Sequence, residues 1–200
     1  MYQRDVILRR RKWLLLIVAM GAMIFGGWLW YEAQREASQD DVIRAAASRY
    51  EIDPALVKAV VWRESRFNPL ARGRAQEIGL MQLREEAAQE WADAERIEGF
   101  VHEHCFSART NVLAGAFYLK KLLRRYRNTD NPVPYALADY NAGRANVLKW
   151  NRGTASTNST DFIAQIGFPG TKQYVQAVMR RTRRYQTWGR IGFLFGSSEL

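Results

Sequence analysis

Nineteen consecutive residues, 13–31 (WLLLIVAMGAMIFGGWLWY), carry no charge. At 1.5 Å per residue a helix of that length reaches roughly 28 Å, close to the ~30 Å hydrocarbon core of a bilayer. The run therefore reads as a single transmembrane helix. Trp13 at one end and Trp28, Trp30 and Tyr31 at the other sit where amphipathic rings prefer the headgroup level, and lipid tolerates Gly26 and Gly27 between them. A cleaved signal peptide would have a shorter apolar region and an Ala-x-Ala-like site, which Tyr31-Glu32-Ala33-Gln34-Arg35 does not offer. No cysteine stands near the run to carry a lipid. Arg4, Arg9, Arg10, Arg11 and Lys12 precede it against Asp5 alone, whereas Glu32, Arg35, Glu36, Asp40 and Asp41 mix signs beyond it. The positive-inside rule then puts the N-terminus in the cytoplasm, with residues from about 32 onward outside the cytoplasmic membrane.

The composition limits what that exported part can be. With 48% apolar residues in 200, the chain is too apolar for disorder. One cysteine, Cys105, and two histidines exclude a disulfide scaffold and a zinc-finger module. Of the formal charge of +10, +4 precedes the anchor, so a net +6 belongs to the exported part and favours anionic surfaces. No glycine-rich phosphate loop is present, so a nucleotide enzyme has no footing. The divisions are residues 1–12, a basic cytoplasmic start; 13–31, the anchor; 32–40, a linker; 41–186, one domain; and 187–200, a tail.

Helical periodicity prevails across 41–186, and no alternating run demands a sheet, so the fold class is all-α. A first helix is capped by Asp40 or Asp41 and runs to about Tyr50. A second begins at Asp53, a good N-cap, with Pro54 in the first helical position, and ends at Asn68-Pro69. Others are expected over about 78–91, 108–126, 134–140 and 144–150, with a mobile Ser/Thr/Asn loop at 154–160 and a final basic helix over 170–185.

Glu64 departs from this pattern. It lies seven residues after Val57 and four after Val60, on the apolar stripe of its own helix. A carboxylate there is costly unless paired or used. Either it forms an ion pair with Arg63, Arg66 or a distant arginine, or burial raises its pKa and makes it a general acid.

Four segments accompany it in order: Glu64-Ser65, Gly79-Leu80-Met81-Gln82-Leu83, Ala138-Asp139-Tyr140-Asn141-Ala142-Gly143, and Phe168-Pro169-Gly170-Thr171-Lys172-Gln173-Tyr174-Val175. Together they resemble the soluble lytic transglycosylase (SLT) family, over about residues 45–178. The resemblance implies a goose-lysozyme-like helical domain with a cleft for a glycan strand of peptidoglycan. It makes Glu64 the single catalytic acid/base, with Ser65 steadying the carboxyl or the substrate. It places Met81, Gln82, Tyr140, Asn141 and Tyr174 around the scissile bond. Met81 and Tyr140 also read as core, and Gln82 and Asn141 as helix-terminus hydrogen bonders. Most glycosidases need two carboxylates, but the N-acetyl group of muramic acid supplies a nucleophile from within the substrate. The implied product is a 1,6-anhydromuramoyl end, formed with no cofactor. Two features depart from the family: Gln76 stands where a glycine is common, and Arg84-Glu85 where Met-Pro is common. If that glycine served a positive φ, the loop before Gly79 is shaped differently here.

Two other clusters carry less. His102-Glu103-His104-Cys105 lacks the further ligands a metal shell needs. Arg180, Arg181, Arg183, Arg184 and Arg190, interleaved with Tyr185 and Trp188, read either as a solvated helix face or as a surface for anionic wall polymer or lipid headgroups; the compartment argues against nucleic acid. Residues 191–195 are too short to span a membrane. The leading expectation is thus a membrane-anchored peptidoglycan lytic transglycosylase, acting beside a wall synthase or a secretion machine. A lysozyme-like hydrolase and a non-catalytic peptidoglycan-binding assembly protein are the alternatives.

Overall fold

The computed structural model describes the backbone of residues 2–195 and the side chains of residues 11–187. The side chains of residues 1–10 and of 188–200 lie outside it, and with them most of the basic N-terminus and the expected tail, including Arg190 and residues 191–195. The chain divides into two compact units, Met1–Ser38 and Gln39–Leu200.

The first unit is one helix, α1 (Tyr2–Ala37). Over 13–31 large apolar side chains cover it all round, and Trp13, Leu15, Phe25 and Trp30 are each more than half exposed. A helix apolar on every face has no stable place in water, whereas its internally bonded backbone suits lipid. Among the described residues it is the one helix long and apolar enough to cross a membrane.

The second unit is helical, as the periodicity predicts: α2 (Asp40–Arg49), α3 (Pro54–Ser65), α4 (Glu85–Ala94), α5 (Ala108–Arg125), α6 (Pro132–Ala142), α7 (Arg144–Trp150), α8 (Ser159–Gln165) and α9 (Pro169–Phe195). Two 3₁₀ turns, His102–Phe106 and Gly153–Ser156, join them. Among the described residues there is no strand, only isolated bridges from Ile78 to Arg72 and Leu83. α5 lies at the centre, packed on α2, α4 and α6, while α9 packs on α3 and α6. The shared core includes Val57 and Val60 of α3, Leu119 and Leu122 of α5, Leu137 of α6 and Val178 of α9, all with no exposed surface. Each such side chain contributes about 1.5–3 kcal/mol.

Local chemistry sets several boundaries. Asp53 Oδ1 accepts the Ala55 N–H at 2.8 Å and opens α3 ahead of Pro54. Asn131 does the same for α6, accepting from Val133 N, and Asn158 for α8, accepting from Asp161 N. Gly143, at φ 79°, separates α6 from α7 where the Asn-Ala-Gly stop is expected.

Four expectations need correction. Gln39, not Asp40 or Asp41, holds the N-cap position of α2, and its side chain makes no capping bond. α3 ends at Ser65, before Asn68-Pro69, because Arg66 and Phe67 both turn left-handed (φ 52° and 62°) and Phe67 folds into the core. The helix expected from residue 78 starts only at Glu85, since Gly79 (φ 78°) and Gln82 (φ 48°) break any helix through 78–83. The Ser/Thr/Asn stretch forms a 3₁₀ turn and the start of α8, with Tyr135 donating to the Ala155 carbonyl at 2.8 Å.

Candidate active site

Glu64 occupies the last turn of α3, on the stripe that buries Val57, Val60 and Val61. Its side chain is half-buried. Tyr174, in the first part of α9 and itself buried, donates its hydroxyl to Glu64 Oε1 at 2.5 Å. Burial pushes the Glu64 carboxyl from 4.5 up to about 7; the Tyr174 bond and the Arg63 charge pull it back, and the Glu77 carboxylate pushes it further up. Glu64 makes no ion pair among the described residues. Arg63 stands over the Tyr174 ring at 5.4 Å, and Arg66 over Trp62 at 4.1 Å. Of the two readings open from the sequence, the structure therefore fits the acid better than the ion pair. Tyr174, held well above 10 mainly by burial and then by Glu64, keeps its proton and stays a donor.

The other elements converge from a distance in sequence. Tyr140, near the end of α6, donates its hydroxyl to the Met81 carbonyl at 2.7 Å and packs against Tyr118 with ring centroids 5.7 Å apart. Its phenol feels the Glu64 charge. Asn141 is exposed; its Oδ1 accepts from Thr171 of α9 at 2.8 Å, which leaves its amide N–H groups free for a ligand carbonyl. Gln82 gives both its amide hydrogens to backbone, to Ala71 O and Gly79 O at 3.1 and 3.0 Å, and so holds the 71–79 loop in shape. Met81 has no exposed surface and packs where Gly115 of α5 has no side chain; what it offers the site is its carbonyl. Ser65 turns back to the Val61 carbonyl at 3.2 Å, so its hydroxyl serves its own helix instead of the Glu64 carboxyl. A groove of about 270 Å³ opens beside Tyr140, lined by Gln82, Arg84, Tyr118 and Lys121 among others. A larger one, between α2, α4 and α5, shares Glu90 and Lys121 with it but is lined by none of Glu64, Met81, Gln82, Tyr140, Asn141 and Tyr174.

Two residues matter here whose roles the sequence did not reveal. Asn111 of α5 is wholly buried; it accepts from Met81 N at 2.7 Å and donates to Ile78 O and Cys105 O at 2.9 Å each. Those three bonds fix the turn that carries the Met81 carbonyl. A Cβ on Gly79 would overlap the Asn111 amide and the Cys105 carbonyl. The signal available was a polar residue on the buried stripe of α5. The second is Glu77, whose charge the Glu64 carboxyl feels. Gln76 beside it adopts φ 64°, a left-handed turn open to a glycine without strain, at a cost of about 1–2 kcal/mol.

The His102–Cys105 cluster lies in a 3₁₀ turn, with His102 Nε2 3.0 Å from Leu83 O. Cys105 is buried, which pushes its thiol up to about 12 and leaves it unreactive. Among the described residues no three His, Cys, Asp or Glu side chains gather as a metal site would require.

Comparison with known proteins places this geometry. Residues 41–163 match the family model for the transglycosylase SLT domain. The chain is 34% identical over 109 residues to membrane-bound lytic murein transglycosylase F of Desulfosudis oleivorans, a match covering 53% of this chain and 22% of that one. It is 27% identical over 152 residues to membrane-bound lytic murein transglycosylase E of Buchnera aphidicola, covering 72% and 66%. Among solved structures, an inactive mutant of the lytic transglycosylase Slt from Pseudomonas aeruginosa superposes with a TM-score of 0.68 at 25% identity, covering 75% of this chain and 24% of that one. The chain thus spans less than two thirds of each of these relatives.

Proposed function

The chain belongs to the transglycosylase SLT domain family, and on that premise we propose that it is a peptidoglycan lytic transglycosylase with Glu64 as its single acid/base. It cleaves the β-1,4 bond between N-acetylmuramic acid and N-acetylglucosamine. The observation that carries this reading is the half-buried Glu64 carboxyl, raised to about 7 and held through one oxygen by the Tyr174 hydroxyl. Near neutral pH such a group is present in both forms, as a two-step reaction requires.

In the first step Glu64 gives its proton to the glycosidic oxygen, from the carboxyl oxygen that Tyr174 leaves free. The C1–O bond breaks while the muramoyl N-acetyl oxygen closes on C1 from the opposite face. In the second, the Glu64 carboxylate takes the proton of the sugar's own C6 hydroxyl, whose oxygen displaces the acetamido group from C1. The 1,6-anhydro ring forms and Glu64 is again protonated; no water is consumed. The free amide of Asn141 fits the acetamido carbonyl, and Tyr140, its hydroxyl committed to Met81, presents acceptor lone pairs toward the sugar. Ser65 and Met81 act through the backbone they support.

Residues 13–31 anchor the protein once in the bacterial cytoplasmic membrane, N-terminus inside and the lytic unit in the periplasm. The exposed apolar girth of α1 and the basic residues before it support this. Two residues, Ser38 and Gln39, separate α1 from α2, so the anchor restricts cleavage to wall near the membrane, where a synthase or a secretion machine works. The test is digestion of purified sacculi by the wild type and by Glu64→Gln, with mass analysis of the fragments. Anhydromuramoyl products lost in the variant are expected. Reducing ends would make the enzyme a hydrolase, and binding without products would make it an assembly protein.

A further inference from the structure

Two hollows lie in series along the furrow where α4 packs on α5. The first is the groove of about 270 Å³ beside Tyr140, and the second has a volume of about 640 Å³. Their walls advance together along both helices: Ala87 and Tyr118 border the first, Glu90 and Lys121 border both, and Ala94 and Arg124 border the second. Lys121 Nζ donates to Glu90 Oε1 and Oε2 at 2.5 and 2.6 Å, so an ion pair joins the two walls where the hollows meet. Tyr118 and Arg124 are six residues apart on α5, about 9 Å along the helix axis.

The second hollow is large enough for a ligand and its floor is fixed in advance. Tyr50 and Phe117 meet there edge to face, with ring centroids 5.8 Å apart. Tyr50 is held from both sides, accepting from Trp91 Nε1 and donating to Glu95 Oε1, each at 2.7 Å. Around this floor stand four cations and three carboxylates. Arg49 pairs with Glu95, Lys120 with Glu51 at 3.6 Å, and Lys121 with Glu90. Arg124 is exposed and forms no ion pair among the described residues. A wall of paired charges with one guanidinium to spare suits a polar chain that carries more carboxylates than amines.

We propose that the furrow between α4 and α5 is a second binding site, for the stem peptide that peptidoglycan carries on the lactyl group of muramic acid. This rests on the reading of the Tyr140 groove as a place for the glycan. The stem leaves the sugar in the first hollow, crosses the Lys121–Glu90 pair and lays its distal residues over Tyr50 and Phe117. An extended peptide covers about 3.3–3.6 Å per residue, so roughly three residues cross the furrow and a stem of about four brings its terminal carboxylate to Arg124. The stem has carboxylates on its iso-linked glutamate, its diamino acid and its last residue against a single side-chain amine, the balance that this wall complements. Sugars further along a strand carry no charge that would use Arg124. The furrow thus favours strands that bear peptides over strands stripped of them.

The experiment titrates the free tetrapeptide L-Ala-γ-D-Glu-meso-diaminopimelyl-D-Ala into the full chain in detergent micelles by isothermal calorimetry. Wild type is compared with Arg124→Glu, Arg124→Gln and Arg152→Glu; Arg152 lines neither hollow. Wild type and Arg152→Glu should bind alike, Arg124→Gln about 3-fold more weakly and Arg124→Glu about 10-fold or more. On glycan strands the KM of Arg124→Glu should rise where stems are present and match wild type where an amidase has removed them, with kcat held on both. No peptide binding by the wild type, or equal affinity in wild type and Arg124→Glu, overturns the proposal. Should Arg124→Glu fail to fold, wild-type affinity in Arg124→Gln overturns it equally. An Arg152→Glu as weak as Arg124→Glu reduces the effect to net charge, and a KM raised alike on both kinds of strand gives the furrow to sugars; either result also sinks the site. The calorimetry needs no turnover, so a chain inactive on sacculi would refute the lyase reading while peptide binding still decides the role of the furrow.

Discussion

Replacing Glu64 by glutamine should make the protein more stable, and only as the solution becomes neutral to alkaline. In the unfolded chain the carboxyl titrates near 4.5, and in the folded one at about 7. Between those values the folded state holds a proton that the unfolded state has released. Wild-type stability therefore falls as pH rises from about 4.5, and the full penalty is in place above about 7. At 1.36 kcal/mol per unit the shift corresponds to about 3 kcal/mol. Below 4.5 both states are protonated and the penalty disappears. Glutamine keeps the shape and an oxygen for the Tyr174 hydroxyl, yet carries no charge at any pH. For a domain of this size, ~3 kcal/mol is a Tm difference of roughly 6–12 °C. The assay is thermal unfolding of residues 39–200, wild type against Glu64→Gln, followed by circular dichroism from about pH 5 to pH 8.5. Other titrating groups cancel in the difference between the two proteins, which should open across that range in favour of the variant. If the two curves run parallel, Glu64 is not held protonated by burial, and the argument for its role as acid fails.

Tyr174→Phe removes a bond that favours the charged form of Glu64. The alkaline limb of turnover should move up by about one unit while the optimum rate falls roughly 10-fold through lost positioning, both read from pH–rate profiles on sacculi. Asn111→Ala deletes three buried hydrogen bonds and should cost about 3 kcal/mol or more, measured by guanidinium unfolding. Gln76→Gly relieves the φ of 64°, worth about 1–2 kcal/mol, against the roughly 0.5–1 kcal/mol of extra chain entropy glycine loses. The urea midpoint should rise slightly, and a clear fall would mean that the turn is not strained.

Much of this molecule is local and was legible in the residues alone. An uncharged run of bilayer length, flanked on one side by arginine, specifies a helix for lipid whatever follows it. The Asp53-Pro54 start of α3, the Gly143 stop and the stripe through Val57, Val60 and Glu64 need only neighbours within a turn or two. A carboxyl on a buried stripe marked Glu64 as a departure but left ion pair and acid both open, and only the resemblance of the four segments chose the acid. At the bounds of α3 and α4 the reading went astray because of left-handed turns: Arg66, Phe67 and Gln82 adopt them without being glycine, so their residue types did not announce the early end of α3 or the late start of α4.

What only the tertiary structure decided is the company Glu64 keeps: no cation pairs with it among the described residues, and burial raises its carboxyl. Tyr174 stands 110 residues away in sequence and reaches one oxygen of the carboxyl. The Tyr140 hydroxyl goes to a carbonyl 59 residues away, in a turn that Asn111 holds from a third helix. Glu77 adds a like charge that the Glu64 carboxyl feels, from a loop that Gln82 holds in shape. Periodicity reveals which side of a helix is buried, because that depends on the helix alone. Proton affinity depends on which dipoles and charges surround a group at short range, and only the packing of distant segments brings those together.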